Sequence, residues 1–503
     1  MTLLRRVPFL FLLLVCMAHR AAAADQWIEV RSPHFVVVSN DSEGATRTVN
    51  WQLEQIRSAI GMLWPWAKLD LNKPLAVLAV KDEPSMKALV PEYWERRNAV
   101  HPATVWVGGV DQTYLAMRSD LEGQDDATTN PYLTSYFSYV SMILQQSLPR
   151  RLPVWLERGL AGVMSNTLVR QNRILVGAPI PWKLERLRTG TRQTIPALLQ
   201  VAPNSNLLRD SEFLQSFDAE SYAFVHYLMF GEGGVRTAKL DRFMQMIANG
   251  TASDAAFREA LGPPEDLDGP FAVYISRSLF SYKQFNLDAA VKKQGFTSRA
   301  LSPAEAAGCR AHLHAAMRRP VEARAAIAEA RKAGDVPEAL VVDGILLDAE
   351  NKDHEAQQAF SRAVDAKTTN PYAYYRLASL LWSGPVDREA LTRIEQLLTQ
   401  AIGLNTRFAE AYAMVGDARS ALGTGDPMAM ILRAISLQPA EPHFHLTAAT
   451  VLMRDKRLDE ALKHAEMAAA LSDTDEERRR ASDAIDRIGR AKGGAPAPAR
   501  REF

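Results

Sequence analysis

Hydrophobic residues recur at helical spacing near the beginning of the chain. Between residues 42 and 64 they are separated by three or four positions, which places them on one face of a helix. These residues are Val49, Leu53, Ile56, Ile60 and Leu63. The pattern predicts an amphipathic helix over this stretch.

Short runs rich in β-branched and aromatic residues lie on both sides of this helix. "WIEV" and "HFVVVSN" precede it, separated by "RSP", and are predicted to pair through a turn. "LAVLAV" follows it and is predicted to be a buried strand. In "ATVWVGGVDQTYLAMRS", Gly108 and Gly109 separate two β-prone halves, which predicts a hairpin or a bulged strand.

Helical patterns dominate the rest of the first half. They cover residues 131–147 and 153–165, and they recur in "ESYAFVHYLMF", "AKLDRFMQMIANG" and "SDAAFREALG". The last two stretches end at glycines, which suit a helix C-terminus. Because strands come early and helices late, residues 25–285 are predicted to form one α+β domain.

Beyond about residue 302 the β-rich runs stop and an Ala-rich, repetitive helical pattern begins. Aligned segments place small residues at intervals of 33, 38, 33 and 34 residues, close to the 34-residue period of tetratricopeptide repeats (TPR). These small residues are Ala330, Ala363, Ala401, Ala434 and Ala468. Residues 303–475 are therefore predicted to form about five TPR-like repeats, an all-α solenoid, after a linker at residues 286–302.

The register of the predicted repeats can be tested. Gly344, Ala356, Phe360 and Ala363 occupy the small, small, aromatic and small positions at which two helices of one repeat meet. The long interval around "TRIEQLLTQ" predicts one extra turn of helix. The alternative, an irregular helical bundle, does not predict this register.

Both ends of the chain have a composition unlike the rest. "MTLLRRVPFLFLLLVCMAHRAAAAD" has two arginines, an apolar run and then small residues, the layout of a signal peptide, so residues 1–24 are predicted to be cleaved near Ala24. The protein is then expected to be periplasmic or secreted, and no later stretch is long and apolar enough to span a membrane. Residues 476–503 are predicted to be a helical extension that ends in a disordered tail, "GRAKGGAPAPARREF".

The charge balance argues against a nucleic-acid partner, and the cysteine content argues against an internal disulfide. Lys and Arg number 59 against 58 Asp and Glu, so no global basic field favours nucleic acid as a partner. Cys309 is the one cysteine outside the predicted signal peptide, so we expect no internal disulfide. It is predicted to be a small buried helix residue.

One segment carries a recognisable motif. "LPVWLERGLAGVMSN", from Leu152 to Asn166, resembles a segment of the peptidase MA-like zinc metallohydrolases of the gluzincin group. The resemblance covers about residues 27–285 and implies a gluzincin-like, metallopeptidase-type α+β fold. In that family two His ligands come from a His-Glu-x-x-His helix, and a Glu in the later segment is the third zinc ligand.

This chain departs from the family pattern at each chemically required position. Ser138 and Met142 stand at i and i+4 where the family has two imidazoles, and Tyr139 stands where it has the general base. Arg158 replaces the ligand Glu, and a permanent cation repels a metal ion. We therefore expect no catalytic residue, no metal site and no cofactor here, with Ser138, Tyr139, Met142 and Arg158 as degenerate equivalents.

Three neighbouring residues are candidates for residual binding in the old cleft. Glu157 is adjacent to Arg158, but a helical neighbour points about 100° away and cannot take over as the ligand. Tyr222 and His226 share a helix face near the expected cleft, where His226 is either a ligand-binding residue or a core histidine satisfied by a neighbour. Trp155 and Leu156 are predicted to be core residues.

Two functions remain open. The first is a non-catalytic, exported scaffold that binds proteins or peptides through the TPR groove, and through the residual cleft if that cleft is open. The alternative is a cell-envelope peptidase, either a zinc-type metallopeptidase with an atypical metal site or an enzyme with a non-metal mechanism. In its metal form it would require bound zinc. The sequence favours the first.

Overall fold

The computed structural model describes most of the chain between Gln26 and Gly493. The predicted signal peptide, with Cys16 and the cleavage near Ala24, and the predicted disordered tail from residue 494 lie outside the described residues. Among the described helices, none combines the length and apolar composition needed to cross a membrane. The described ranges are 26–95, 101–121, 128–170, 173–286, 293–334, 336–384 and 386–493.

A mixed sheet forms the early part of the first half. Within the described residues six strands lie in the order β4-β5-β3-β2-β1-β9. The predicted hairpins β1/β2 and β4/β5 are both antiparallel, whereas β3 runs parallel to β2 and β5. The strands are β1 (Ile28–Arg31), β2 (Val36–Ser39), β3 (Leu75–Val80), β4 (Thr104–Gly108), β5 (Thr113–Arg118) and β9 (Thr297–Ala300).

The last strand of this sheet lies in the segment that was predicted to be a linker. β9 pairs antiparallel with the outer edge of β1, with Arg299 opposite Glu29. Arg299 also forms ion pairs with Glu29 and with Glu305 at the start of the next helix. The linker segment therefore contributes to the sheet and fixes where the second half begins.

Helices cover the sheet and make up the rest of the first half. They are α1 (Glu43–Leu63), α2 (Glu83–Leu89), α3 (Leu133–Ser147), α4 (Val154–Ser165), α5 (Pro181–Thr189), α6 (Ile195–Leu199), α7 (Ser211–Phe230), α8 (Thr237–Ala248), α9 (Ser253–Leu261) and α10 (Asp268–Ile275). A small second sheet contains β6 (Leu168–Arg170), β7 (Arg173–Val176) and β8 (Lys283–Asn286). The predicted α+β character of this half, with strands early and helices late, is confirmed.

The core of the first half is aromatic where α4, α7, α8 and α9 meet. Trp155 is buried, as predicted, and stacks on Phe243 with ring centroids 5.9 Å apart. Phe224 and Phe257 contact the same indole. Gly159 allows α4 to approach α7 closely, because a side chain there would collide with Val225. The motif segment therefore serves as a packing element of the domain.

The second half is an array of antiparallel helix pairs with the predicted register. The five small residues predicted from the period are all fully buried. Gly344 packs on Phe360, and a Cβ at Gly344 would lie 2.6 Å from that ring. α16 (Arg388–Leu404) has 17 residues against 11 in α18 (Pro427–Leu437), which accounts for the long interval. The described residues of this half form an all-α array of helix pairs, as predicted.

The first helices of several pairs also contact one another, α11 with α13, α17 with α19, and α19 with α21. This arrangement places the first helices side by side along the array, as in a solenoid. Helices of the described array are α11 (Pro303–Ala316), α12 (Pro320–Ala333), α13 (Pro337–Ala349), α14 (Asp353–Asp365), α15 (Pro371–Trp382), α16 (Arg388–Leu404), α17 (Ala409–Leu422), α18 (Pro427–Leu437), α19 (Pro442–Arg454), α20 (Leu458–Leu471) and α21 (Asp475–Lys492).

Turns between the helix pairs contact the first half along the length of the array. The Asn405 side chain donates to the Asn72 carbonyl, and the Asn72 side chain donates to the carbonyl of Leu437. Farther along, Arg151 pairs with Asp473 at 2.9 Å. The array is therefore held against the first half by one of its edges.

Candidate functional site

The two residues that the resemblance aligns with the first two zinc ligands lie on one face of α3. Ser138 and Met142 are both partly buried, one helical turn apart. A hydroxyl and a thioether replace the two imidazoles, and neither is a donor that zinc sites in proteins normally use. The predicted helix is present as α3, but its Ser138 and Met142 side chains are not typical zinc ligands.

Tyr139, at the family's general-base position, points away from that face. It is buried against Phe35, with ring centroids 5.6 Å apart, and its hydroxyl lies 3.5 Å from the Leu69 carbonyl. Burial raises the pKa of Tyr139 to about 12, because the phenolate would be desolvated. The phenol therefore stays protonated at neutral pH and acts as a packing group.

Arg158, at the third-ligand position, is engaged by a carboxylate from α7. Its guanidinium forms two hydrogen bonds with Asp218, through Nε to Oδ1 and through Nη2 to Oδ2 at 2.7 Å. The same guanidinium lies over the Phe137 ring, 5.3 Å from its centroid. A paired cation stands at the position where the resemblance implies a ligand, and with Ser138 and Met142 this set of residues does not fit zinc. Among the described residues, no group of three or more His, Cys, Asp or Glu side chains converges as a metal site.

Glu157 turns toward α3 and does not join Arg158. Its Oε1 accepts a hydrogen bond of 2.8 Å from Gln145. Burial raises the pKa of the Glu157 carboxyl, and the Gln145 hydrogen bond partly offsets this. Glu157 therefore helps to join α3 and α4 and does not act as a substitute ligand.

Tyr222 and His226 are buried one turn apart on α7. His226 Nδ1 lies 2.7 Å from the Tyr274 hydroxyl, and Nε2 lies 2.7 Å from the Gly177 carbonyl. Burial lowers the pKa of His226 to about 4, so the imidazole is neutral. The Tyr222 hydroxyl accepts from the Ile180 amide. Of the two interpretations left open for His226, the core histidine satisfied by its neighbours matches these contacts.

A buried lysine beside this cluster has no signal in the sequence pattern. Lys183 on α5 is 4% exposed, and its Nζ lies 5.3 Å from the Tyr222 ring centroid. Burial lowers its pKa to about 8, while Asp218 opposes that shift and Arg158 adds to it. Two cations and one carboxylate thus meet where α4, α5 and α7 come together.

The array offers a second candidate surface on its first helices. Arg376 on α15 pairs with Asp348 on α13 and donates to Ser379. Arg454 on α19 pairs with Asp417 on α17. We call the surface formed by Tyr375, Arg376, Ser379, Asp417, Thr450 and Arg454 the first-helix face.

The described hydrogen bonds and ion pairs of Arg376, Asp417 and Arg454 all stay within the array. The contacts with the first half involve the turns between pairs, Arg319 in the turn between α11 and α12, and His312 on the first helix α11. In the described part of the chain, the hydrogen bonds and ion pairs of Arg376, Asp417 and Arg454 do not take part in these contacts.

Comparisons with known proteins do not assign the chain to a family, but they find structural similarity to TPR proteins. No family model matches the chain, and no curated protein matches it. Among solved structures, YrrB, described as a TPR protein with an unusual peptide-binding site, is 17% identical and covers 35% of this chain and 90% of its own, with a TM-score of 0.30. TTC0263, a thermophilic TPR protein of Thermus thermophilus, is 20% identical and covers 36% of this chain and 98% of its own, with a TM-score of 0.29.

Proposed function

We propose that the chain is a non-catalytic, exported scaffold that binds a protein or peptide partner on the first-helix face of its array. The observation that carries the proposal is the array itself, with its side-by-side first helices and buried small-residue register. Stacked helix pairs of this kind bury a continuous core and leave an extended surface for a partner. The resemblance of residues 1–24 to a signal peptide supports export.

In this proposal the first half is a gluzincin-like domain that has lost its metal chemistry and now supports the array. The support for this idea is the Arg158–Asp218 pair, which places a neutralised cation where the family has a ligand. The contacts of Asn72 and Arg151 with the inter-repeat turns support a scaffolding role. The first half would then orient the first-helix face.

Site-specific photo-crosslinking in the full chain tests this function. A benzophenone amino acid is introduced at Ser379 or Thr450, on the first-helix face, and in a matched control at Thr399, exposed on the second helix α16. We expect one discrete crosslinked partner from the first two positions and none from Thr399. Equal crosslinking from all three positions, or from none, would contradict the proposal.

A further inference from the structure

Large apolar side chains are exposed together on the first half, where α5 lies beside the segment between α10 and β8. In this segment Leu279 is 86% exposed and Tyr282 is 50% exposed. Trp182 on α5 is 49% exposed. It lines a groove of about 460 Å³ together with Ser278 and Phe280, which flank Leu279 in the sequence. We call Trp182, Leu279 and Tyr282 the apolar patch. Exposed apolar side chains that are grouped in this way mark an interaction site.

Phe280 holds the backbone next to Leu279 against the core. Its ring packs edge-on against Tyr274, with ring centroids 5.3 Å apart, and against His226, with ring centroids 5.9 Å apart. Tyr274 and His226 are both buried. Leu279 is therefore presented to solvent by a backbone that is anchored in the core. The contact of its side chain with water has a cost in free energy that a bound partner would remove.

Three basic side chains surround the apolar patch. Arg277 lies near the start of the segment and Lys283 follows its end, and both are exposed. Arg188 on α5 lines the groove, and its guanidinium donates to the backbone carbonyls of Ile275 and Arg277. The Arg277 guanidinium lies 5.6 Å from the Tyr274 ring centroid. Among the described residues none of the three basic side chains forms an ion pair, so their charges are not neutralised by a direct partner.

The charges around the patch disfavour a second copy of the chain and favour an anionic surface. Glu185 lines the groove, and Asp241 lies near Lys283, which opposes the rise that burial causes in the pKa of Asp241. The three basic side chains outnumber these two carboxylates. In a symmetric dimer formed through the patch, the same basic side chains would face each other and repel. A bilayer with anionic headgroups attracts the basic side chains and offers an apolar layer to the patch.

We propose that the apolar patch docks on the surface of an anionic lipid bilayer. Leu279 inserts among the upper parts of the acyl chains, and Trp182 and Tyr282 lie at the level of the headgroups, where amphipathic aromatic rings are favoured. The three basic side chains contact the lipid phosphates. The contact is peripheral and needs no membrane-spanning helix. It uses none of the residues of the first-helix face and does not depend on the function proposed above.

Co-sedimentation with lipid vesicles tests the docking. The vesicles contain phosphatidylcholine alone or equimolar phosphatidylcholine and phosphatidylglycerol. The exported chain is used after removal of the predicted signal peptide, because the apolar run of that peptide would itself bind lipid. We expect binding to the anionic vesicles that weakens as salt increases, and little binding to phosphatidylcholine alone. Leu279→Ser should bind about tenfold more weakly than wild type, and Lys283→Gln about fivefold more weakly.

Val321→Ser is the matched control, because Val321 is 75% exposed on α12 of the array. It should bind to the anionic vesicles as wild type does. All three substitutions replace exposed side chains, so each variant should fold. No binding to the anionic vesicles, or equal binding by wild type and Leu279→Ser, would overturn the proposal. A dimer in the absence of lipid that Leu279→Ser dissociates would assign the patch to a second copy of the chain and would also overturn it.

Discussion

Oδ2 of Asp111, in the turn between β4 and β5, lies 3.2 Å from Nδ1 of His312 on the first helix of the array. The same carboxylate accepts hydrogen bonds from the Asn370 side chain at 3.0 Å and from the Tyr114 hydroxyl at 2.9 Å. Asp111 and His312 are both buried. One carboxylate therefore joins the sheet to two separate helix pairs.

Asp111→Asn should weaken the attachment of the array. The amide keeps the size of the side chain but cannot replace a carboxylate that accepts from three partners. We expect a loss of about 1–3 kcal/mol in the free energy of unfolding, as when a buried hydrogen-bond network loses its shared acceptor. Urea unfolding of the full chain measures this loss. Asp475→Asn is the control, because the Asp475 side chain is 99% exposed and should leave the midpoint unchanged.

The same carboxylate should give the molecule a sensitivity to acid. Burial raises the pKa of Asp111, but its hydrogen bonds with His312, Asn370 and Tyr114 outweigh burial and leave the pKa below its ordinary value. Its stabilising contribution is then complete above the unfolded pKa of about 3.9 and is lost as pH falls through the folded value. Unfolding curves at several pH values should show a larger loss of stability in acid for wild type than for Asp111→Asn, because other carboxylates with lowered pKa values contribute to both.

Gly344 should tolerate no side chain, because α13 contacts the Phe360 ring at that point. We expect Gly344→Ala to destabilise the array by about 1–3 kcal/mol through overpacking. Gly403 lies in α16 with open space around it, so Gly403→Ala should instead stabilise by about 0.5–1 kcal/mol. Thermal unfolding of both variants measures the difference. If Gly344→Ala and Gly403→Ala changed the thermal stability equally, the close packing predicted at Gly344 would not contribute to stability.

Lys183→Met should stabilise the protein at neutral pH. The folded pKa of about 8 lies below the unfolded value of 10.5, so the buried ammonium opposes folding at pH values below 8. A shift of this size corresponds to about 3 kcal/mol. Wild type should regain stability between pH 8 and 10.5, where the unfolded chain holds a proton that the folded chain has released.

The difference in free energy of unfolding between Lys183→Met and wild type should therefore be largest at pH 7 and should decrease toward pH 10.5. Denaturant unfolding at both pH values measures it, and Lys332→Met, exposed on α12, is the control. An advantage that stays constant with pH would mean that Lys183 is not desolvated.

Introducing the three ligands that the resemblance implies tests the resemblance to zinc metallohydrolases. Ser138→His, Met142→His and Arg158→Glu together rebuild two imidazoles at i and i+4 and a carboxylate on α4. We expect the triple variant to bind about one equivalent of zinc and to gain thermal stability when zinc is added. The double variant that keeps Arg158 should not. Failure of the triple variant to bind zinc, while folded, would show that α3 and α4 lack the family's geometry.

Local sequence patterns predicted the helices and strands more accurately than the side-chain contacts between them. The buried alanines of the array follow a fixed period, so their register can be read from the sequence. β9 was missed because its four residues are all exposed and carry no apolar alternation. Edge strands that are held mainly by backbone pairing leave little trace in composition.

The polar contacts depend on residues that are far apart in the chain. Asp111 lies just after the predicted hairpin glycines, but its partner Asn370 is 259 residues away, so no local window contains both. Lys183 is buried because α5 packs on α7 at Tyr222, and neither helix alone predicts that burial. Arg158 was recognised as a misfit through the motif, whereas its partner Asp218 emerged only from the packing of α4 on α7.

Metal analysis of the natively purified chain, combined with a peptidase assay with and without a chelator, tests the central claim most directly. The account predicts zinc well below one equivalent and no cleavage that a chelator abolishes. Zinc near one equivalent together with chelator-sensitive cleavage would contradict it, because Ser138, Met142 and Arg158 would then belong to a working metal site.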